Sequence, residues 1–99
     1  MKNYRNLGQR NLIGPSVRKF RNELALSQSA LAATLQRKGW NVSRDAIASI
    51  ESQTRRVSDF ELILLAQVFK MTVQELLPKS GLEAKALEFA TRLERVGSN

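Results

Sequence analysis

At 99 residues, with 42% hydrophobic and 25% charged residues and a formal net charge of +7, the chain fits one small globular domain with tails. It contains no Cys and no His, which removes disulfides, the usual zinc sites, and both thiol and serine–histidine nucleophile chemistry. No apolar run approaches the ~20 residues of a membrane span and the N-terminus lacks the apolar block of a signal peptide; with the absence of Cys, this suits a protein of the reducing cytoplasm.

The charge is unevenly placed. Residues 1–56 carry 11 Lys/Arg against 3 Asp/Glu, residues 57–81 carry 2 against 3, and residues 82–99 carry 3 against 3. The positive field therefore belongs to the N-terminal half, and a polyanion is its natural partner. Leu and Ala dominate the apolar set, and Pro and Gly are scarce after Pro15, so an all-α fold is expected.

Residues 1–12 are polar and basic without a clear period and read as a flexible arm bearing Lys2, Arg5 and Arg10. Gly14-Pro15 then opens a first helix over about 15–25, because proline is tolerated in a first turn. Val17, Phe20, Arg21 and Leu24 follow its helical spacing, with Arg18, Lys19 and Asn22 outward. Ser27 is suited to cap a second helix with Leu31, Ala32 and Leu35 inward. That helix is expected to stop near Lys38-Gly39, where glycine takes the left-handed conformation.

Trp40-Asn41-Val42 forms the connection, and Ser43 caps a third helix with Ile47 and Ile50 inward. A basic loop over 53–57 carries Arg55 and Arg56. Ser58-Asp59-Phe60-Glu61 and Thr72-Val73-Gln74-Glu75 both match the capping box, in which hydroxyl and carboxylate each satisfy a backbone amide. They open a fourth helix reaching about Lys70, with Leu62, Leu65, Ala66 and Phe69 inward, and a short fifth helix stopping before Pro78. A last helix is expected over about 82–96. Its stripe of Leu82, Ala86, Phe89, Leu93 and Val96 repeats like a heptad and either packs on its own domain or pairs with a second copy.

The ordered set Leu26-Ser27-Gln28, Ser43-Arg44-Asp45-Ala46-Ile47, Ile50-Glu51, Thr54-Arg55-Arg56 and Thr72-Val73-Gln74-Glu75-Leu76-Leu77 resembles the phage lambda repressor and Cro family of helix-turn-helix domains, also called the xenobiotic-response-element type. The resemblance spans about Ile13 to Leu77. It implies a five-helix DNA-binding domain over 13–78, to which the sequence adds the arm 1–12 and a C-terminal helix and tail over 79–99 as a candidate dimerisation element. One feature departs from the family. Helices 2 and 3 of such motifs are joined by a turn of about 3–4 residues, whereas the stretch Gln36 to Val42 is longer, and an extra turn on helix 2 with a longer connection is expected.

The residue types at these places suggest roles. Arg44, at the opening of helix 3, carries the planar donor fork that suits a guanine edge. Asp45 either accepts from cytosine, favours the helix N-terminus through its dipole, or orients Arg44. Ala48 and Ser49, one turn on, are weaker base-contact candidates, and Ala46 or Ala48 suits a thymine methyl. The phosphate-contact candidates are Ser27, Gln28 and Ser29 at the start of helix 2, Arg37 and Lys38 in the longer connection, Ser43, and Ser52, Thr54, Arg55 and Arg56 around the basic loop. The resemblance also implies that Gln28 braces helix 3 and that Arg21 and Glu51 form a buried ion pair between helices 1 and 3. Trp40 is expected to cover the core beneath the connection, and the arm is a candidate for the minor groove.

The function expected is that of a sequence-specific double-stranded DNA-binding transcriptional regulator. It would be a repressor binding a near-palindromic operator as a homodimer, cytoplasmic and nucleoid-associated in a prokaryote, with no cofactor, metal or membrane partner. A DNA-binding antitoxin that holds a protein partner through the C-terminal helix is the alternative, followed by an interaction module that has lost DNA. Nothing resembles a convergent catalytic cluster, so an enzyme is not expected.

Overall fold

The computed structural model describes residues 8–78, which form five helices and no strands. These are α1 (Gly14–Glu23), α2 (Gln28–Arg37), α3 (Arg44–Glu51), α4 (Asp59–Phe69) and α5 (Val73–Leu76). The C-terminal helix expected over 82–96 and the arm residues Lys2 and Arg5 lie outside the described residues. The all-α expectation and the order of the five helices agree with the structure.

Four helices begin where a hydroxyl can take up a free amide of the first turn. Ser27 Oγ accepts from the amide of Ala30 and Ser43 Oγ from that of Ala46, each at 3.0 Å. Both capping boxes form. Ser58 accepts from Glu61 N at 3.2 Å while its own amide donates to Glu61 Oε1 at 3.0 Å. Thr72 and Glu75 repeat the exchange. The C-termini are also local events. Gly39 follows α2 with φ +98°, and Lys70 ends α4 in the left-handed region at φ 56°. α1 stops at Glu23, two residues earlier than expected, because Ala25 turns to φ 55°. Leu24 consequently sits past the helix end and is half exposed rather than in the core.

The core gathers one face from every helix: Val17 of α1, Leu31, Ala32 and Leu35 of α2, Ile47 and Ile50 of α3, Leu65, Ala66 and Phe69 of α4, and Leu76 of α5, with Ile13 and Val42 from the connections. Phe20 and Phe69 meet with ring centroids 6.1 Å apart, a tilted pair across α1 and α4. α3 lies between α1 and α2, both of which pack on it. After Arg37 the chain leaves the helix. The connection is tied back by Gln36 Nε2, which donates to Val42 O at 2.8 Å, and Val42 is buried beneath it. Trp40 is half-buried against the core, as the sequence suggests.

The segment before α1 differs from expectation. Arg10 and Asn11 are not free. The Arg10 amide donates to Gln53 O at 2.9 Å. Asn11 Oδ1 accepts from the amides of Ile13 and Gly14, so it serves as the cap that Ile13 cannot be. Asn11 Nδ2 donates to Ile50 O at 3.1 Å and Arg55 O at 2.8 Å. Gln53 returns a bond to Asn11 O at 3.0 Å. A single amide side chain thus starts α1 and holds the end of α3. Gly14 makes the approach possible, since a Cβ there would collide with the carbonyls of Ile50 and Glu51. Gly14→Ala should lower the unfolding free energy by about 1–3 kcal/mol, read as a lower denaturant midpoint with unchanged helical content.

Candidate nucleic-acid interface

α3 presents two unlike faces. Ile47 and Ile50 are fully buried, whereas its N-terminal tip is open. There Ser43, Arg44 and Asp45 are all exposed, with the Arg44 and Asp45 side chains 62% and 90% accessible. Arg44 Nη1 lies 3.2 Å from Asp45 Oδ1. An exposed pair of this kind contributes little to stability, about 0–1 kcal/mol, but it gives Arg44 a preferred direction. Asp45 also stands in the first turn, where the helix dipole favours an acid. Ala46, Ala48 and Ser49 are half-buried along the adjoining side of the helix.

The opposite end of α3 is clamped. The Glu51 side chain is fully buried, and Arg21 reaches it with Nε at 2.6 Å and Nη2 at 3.0 Å. Arg21 Nη1 also donates to Leu26 O at 2.7 Å. Gln28 Nε2 donates to Glu51 Oε1 at 3.1 Å, and Arg18 Nε lies 3.3 Å from the same oxygen. The expected Arg21–Glu51 pair is therefore present within a larger network. Arg18, expected to point away, takes part in it while remaining largely exposed. Burial pushes the Glu51 carboxyl up, and the bonds from Arg21, Gln28 and Arg18 outweigh that and hold it below its ordinary value. The bond to Glu51 raises Arg21, against the opposing effect of burial.

Gln28 thus has its side chain turned inward onto Glu51, while Ser27 and Ser29 on either side of it are exposed. After α3 the chain turns sharply at Gln53, φ 64°. Ser52 Oγ and Thr54 Oγ1 lie 3.0 Å apart, and both hydroxyls reach Ser49 O.

The two loop arginines part company. Arg55 forms a two-pronged pair with Glu61, 3.0 Å on each side, and its guanidinium lies 5.8 Å from the Trp40 ring centroid. The bond from Arg55 lowers the Glu61 carboxyl, which also accepts from Ser58. Arg56 is exposed. Arg37 is exposed with Nη2 3.2 Å from Thr34 Oγ1, and Lys38 is exposed beside it.

The helical fold has counterparts among known proteins. Residues 17–76 match the family described as helix-turn-helix. The chain belongs to the lambda-repressor-like helix-turn-helix family. No curated protein matches it. The crystal structure of the DNA-binding domain of BldD is similar to it with a TM-score of 0.56 at 26% identity, covering 72% of this chain and 96% of that one. In the helix-turn-helix frame, α2 and α3 are the two helices of the motif, and the longer connection Lys38–Ser43 separates them.

Sequence reasoning missed Asn11 and the share of Arg18 in the Glu51 network. Asn11 stood in a segment without periodicity, and only its place three residues before the helix start could have marked it as a cap.

Arg21→Ala should destabilise the domain by about 3–5 kcal/mol at neutral pH, because it leaves the Glu51 carboxylate buried without its main partner. The lowered Glu51 value means that the stabilisation is present above the unfolded carboxylate value of about 4.3 and is lost as pH falls through the folded value. The gap between parent and variant should therefore shrink as pH falls from neutral, since Glu51 of the variant, buried without Arg21, takes up its proton first. Thermal melts from pH 7 to pH 3 read this directly; a gap that holds constant would contradict it.

Proposed function

We propose that this chain is a sequence-specific double-stranded DNA-binding regulator of transcription, a repressor that binds a near-palindromic operator as a homodimer. The observation that carries the reading is the Ser43-capped tip of α3, where Arg44 stands open to solvent while the far end of the helix is locked by Glu51. A rigid helix with a free cationic N-terminus suits insertion into the major groove. Membership of the helix-turn-helix family and the similarity to the DNA-binding domain of BldD support the same reading.

In this reading the affinity comes from phosphates and the selectivity from base edges. Arg44 reads guanine, with Asp45 aiming its guanidinium, and Ala48 and Ser49 follow the groove. Ser27, Ser29 and the first amides of α2, with Arg37 and Lys38, take phosphates on one side; Ser43, Ser52, Thr54 and Arg56 take them on the other. Gln28 and Arg55 act mainly as braces, since their side chains are engaged with Glu51 and Glu61. Arg55 retains enough exposure, 33%, to add a phosphate bond at its edge. A dimer spaces two such helices about 34 Å apart, one turn of the duplex, and a bound dimer blocks polymerase. No helix among the described residues is long and apolar enough to cross a membrane.

Selection of bound sequences from random duplex DNA tests this, with affinities then measured by fluorescence anisotropy. A symmetric motif should emerge, and four neutralised phosphates in each half-site imply a fall in single half-site affinity of ~10²-fold between about 50 and 200 mM salt. Arg44→Ala should cost about 1–3 kcal/mol of discrimination at one base pair, equivalent to ~5–150-fold, with little change in thermal stability. Recovery of no motif, or an unchanged preference in Arg44→Ala, would overturn the reading.

A further inference from the structure

α4 carries a stripe that the fold does not use. Phe60 is 77% exposed and Ile63 47%; with Leu24, which lies past the end of α1, they are the exposed large hydrophobic residues among the described residues. They are three positions apart, so they share one face of the helix. Gln67, four positions further on, is exposed on the same face, and so are Asp59 at the first turn and Lys70 at the end. The remaining residues of α4 are half-buried or in the core. Glu61, the other acid of the helix, is committed to Arg55 and the Ser58 cap. Among the described residues, neither Asp59 nor Lys70 forms an ion pair.

The stripe is self-complementary. It has an acid at its N-terminal end, an apolar centre and a base at its C-terminal end. If two copies of α4 lie antiparallel across a two-fold axis, Asp59 of each faces Lys70 of the other, and Phe60 and Ile63 are covered between them. That is the condition an isologous contact must meet. The patch is short. Five side chains from each copy amount to less than the ~1,200 Å² at the lower end of stable interfaces. A contact of that size is weak between free molecules. It gains force when two copies are held on neighbouring sites, where effective concentrations reach about the millimolar range.

We propose that the Asp59–Phe60–Ile63–Gln67–Lys70 face of α4 is where a second copy of this chain docks, and that this contact couples the filling of two adjacent half-sites. The second clause rests on the DNA-binding reading above; the first does not.

The experiment uses the full chain and two measurements. Anisotropy on duplexes carrying one or two selected half-sites reads the coupling factor, and sedimentation equilibrium at millimolar concentration without DNA reads self-association. The parent should show coupling of ~5–150-fold and weak self-association. Phe60→Glu should reduce coupling to about unity and abolish self-association, with single half-site affinity and thermal midpoint unchanged, since the site is exposed and an acid is favoured in a first helical turn. Asp59→Lys and Lys70→Glu should each weaken association, and the double variant should restore it. Persistence of coupling and self-association in Phe60→Glu would overturn the proposal, as would failure of the charge-exchanged pair to recover. A lowered thermal midpoint in Phe60→Glu, with self-association intact, would mean that the chain covers this face itself through residues 79–99, and would also overturn it. A parent that binds no DNA but loses self-association in Phe60→Glu removes the regulator reading and the coupling while leaving the docking face in place.

Discussion

The buried carboxylate of Glu51 is the constraint on which the placement of α3 depends. An ionised group inside a small core is costly, and only good geometry with several donors offsets the loss of water. Here the donors are three side chains from two helices: Arg21 and Arg18 on α1, and Gln28 at the start of α2. Each must be at its correct distance for the carboxylate to be satisfied. The network therefore acts as a register pin, since sliding α3 along α1 or α2 by a turn would strand the charge. Hydrophobic packing of Ile47 and Ile50 alone would resist such a slip less strongly, because apolar side chains are tolerant of exchange among similar neighbours.

A second clamp closes on the same end of α3 from the opposite direction in sequence. Asn11 holds Ile50 O and Arg55 O while capping α1, and Gly14 lets the two backbones approach. The C-terminal turn of α3 is thus held by the pre-helical segment, by α1 and by α2, while its N-terminal turn has only the Ser43 cap and the packing of Ile47. Rigidity at one end and openness at the other suit the role proposed for α3, since a helix that enters a groove must not rotate there and its tip must shed water easily.

The helices were largely legible from the residues because their signals are local. Four hydroxyl caps, two capping boxes and Gly39 act within a few positions of the chain, and the apolar spacing names nearly the whole core. The Arg21–Glu51 pair could be anticipated only through family likeness, since 30 positions separate its members. What escaped were bonds between distant segments made by residues with no distinctive pattern. Asn11 meets Arg55 across 44 positions, and nothing in a polar, aperiodic stretch signals that. Leu24 escaped for the opposite reason. Its spacing fits the apolar face of α1, but the left-handed turn at Ala25 ends the helix first, and helix termini are the least certain part of any such reading.

The two loop arginines show how identical residues acquire different work from their neighbours. Arg55 is drawn toward Glu61 by a two-pronged pair, and the Trp40 face lies over its guanidinium. It thereby joins the longer α2–α3 connection to the first turn of α4. The cation–π contact with Trp40 contributes about 0.5–1 kcal/mol for a partly exposed pair. Glu61 cannot release Arg55 without also loosening the Ser58 cap, because the same carboxylate serves both. Arg56, one residue on and exposed, carries no such duty. In Arg55 the loop commits one cation to Glu61 and Trp40, and so ties the longer connection to the start of α4.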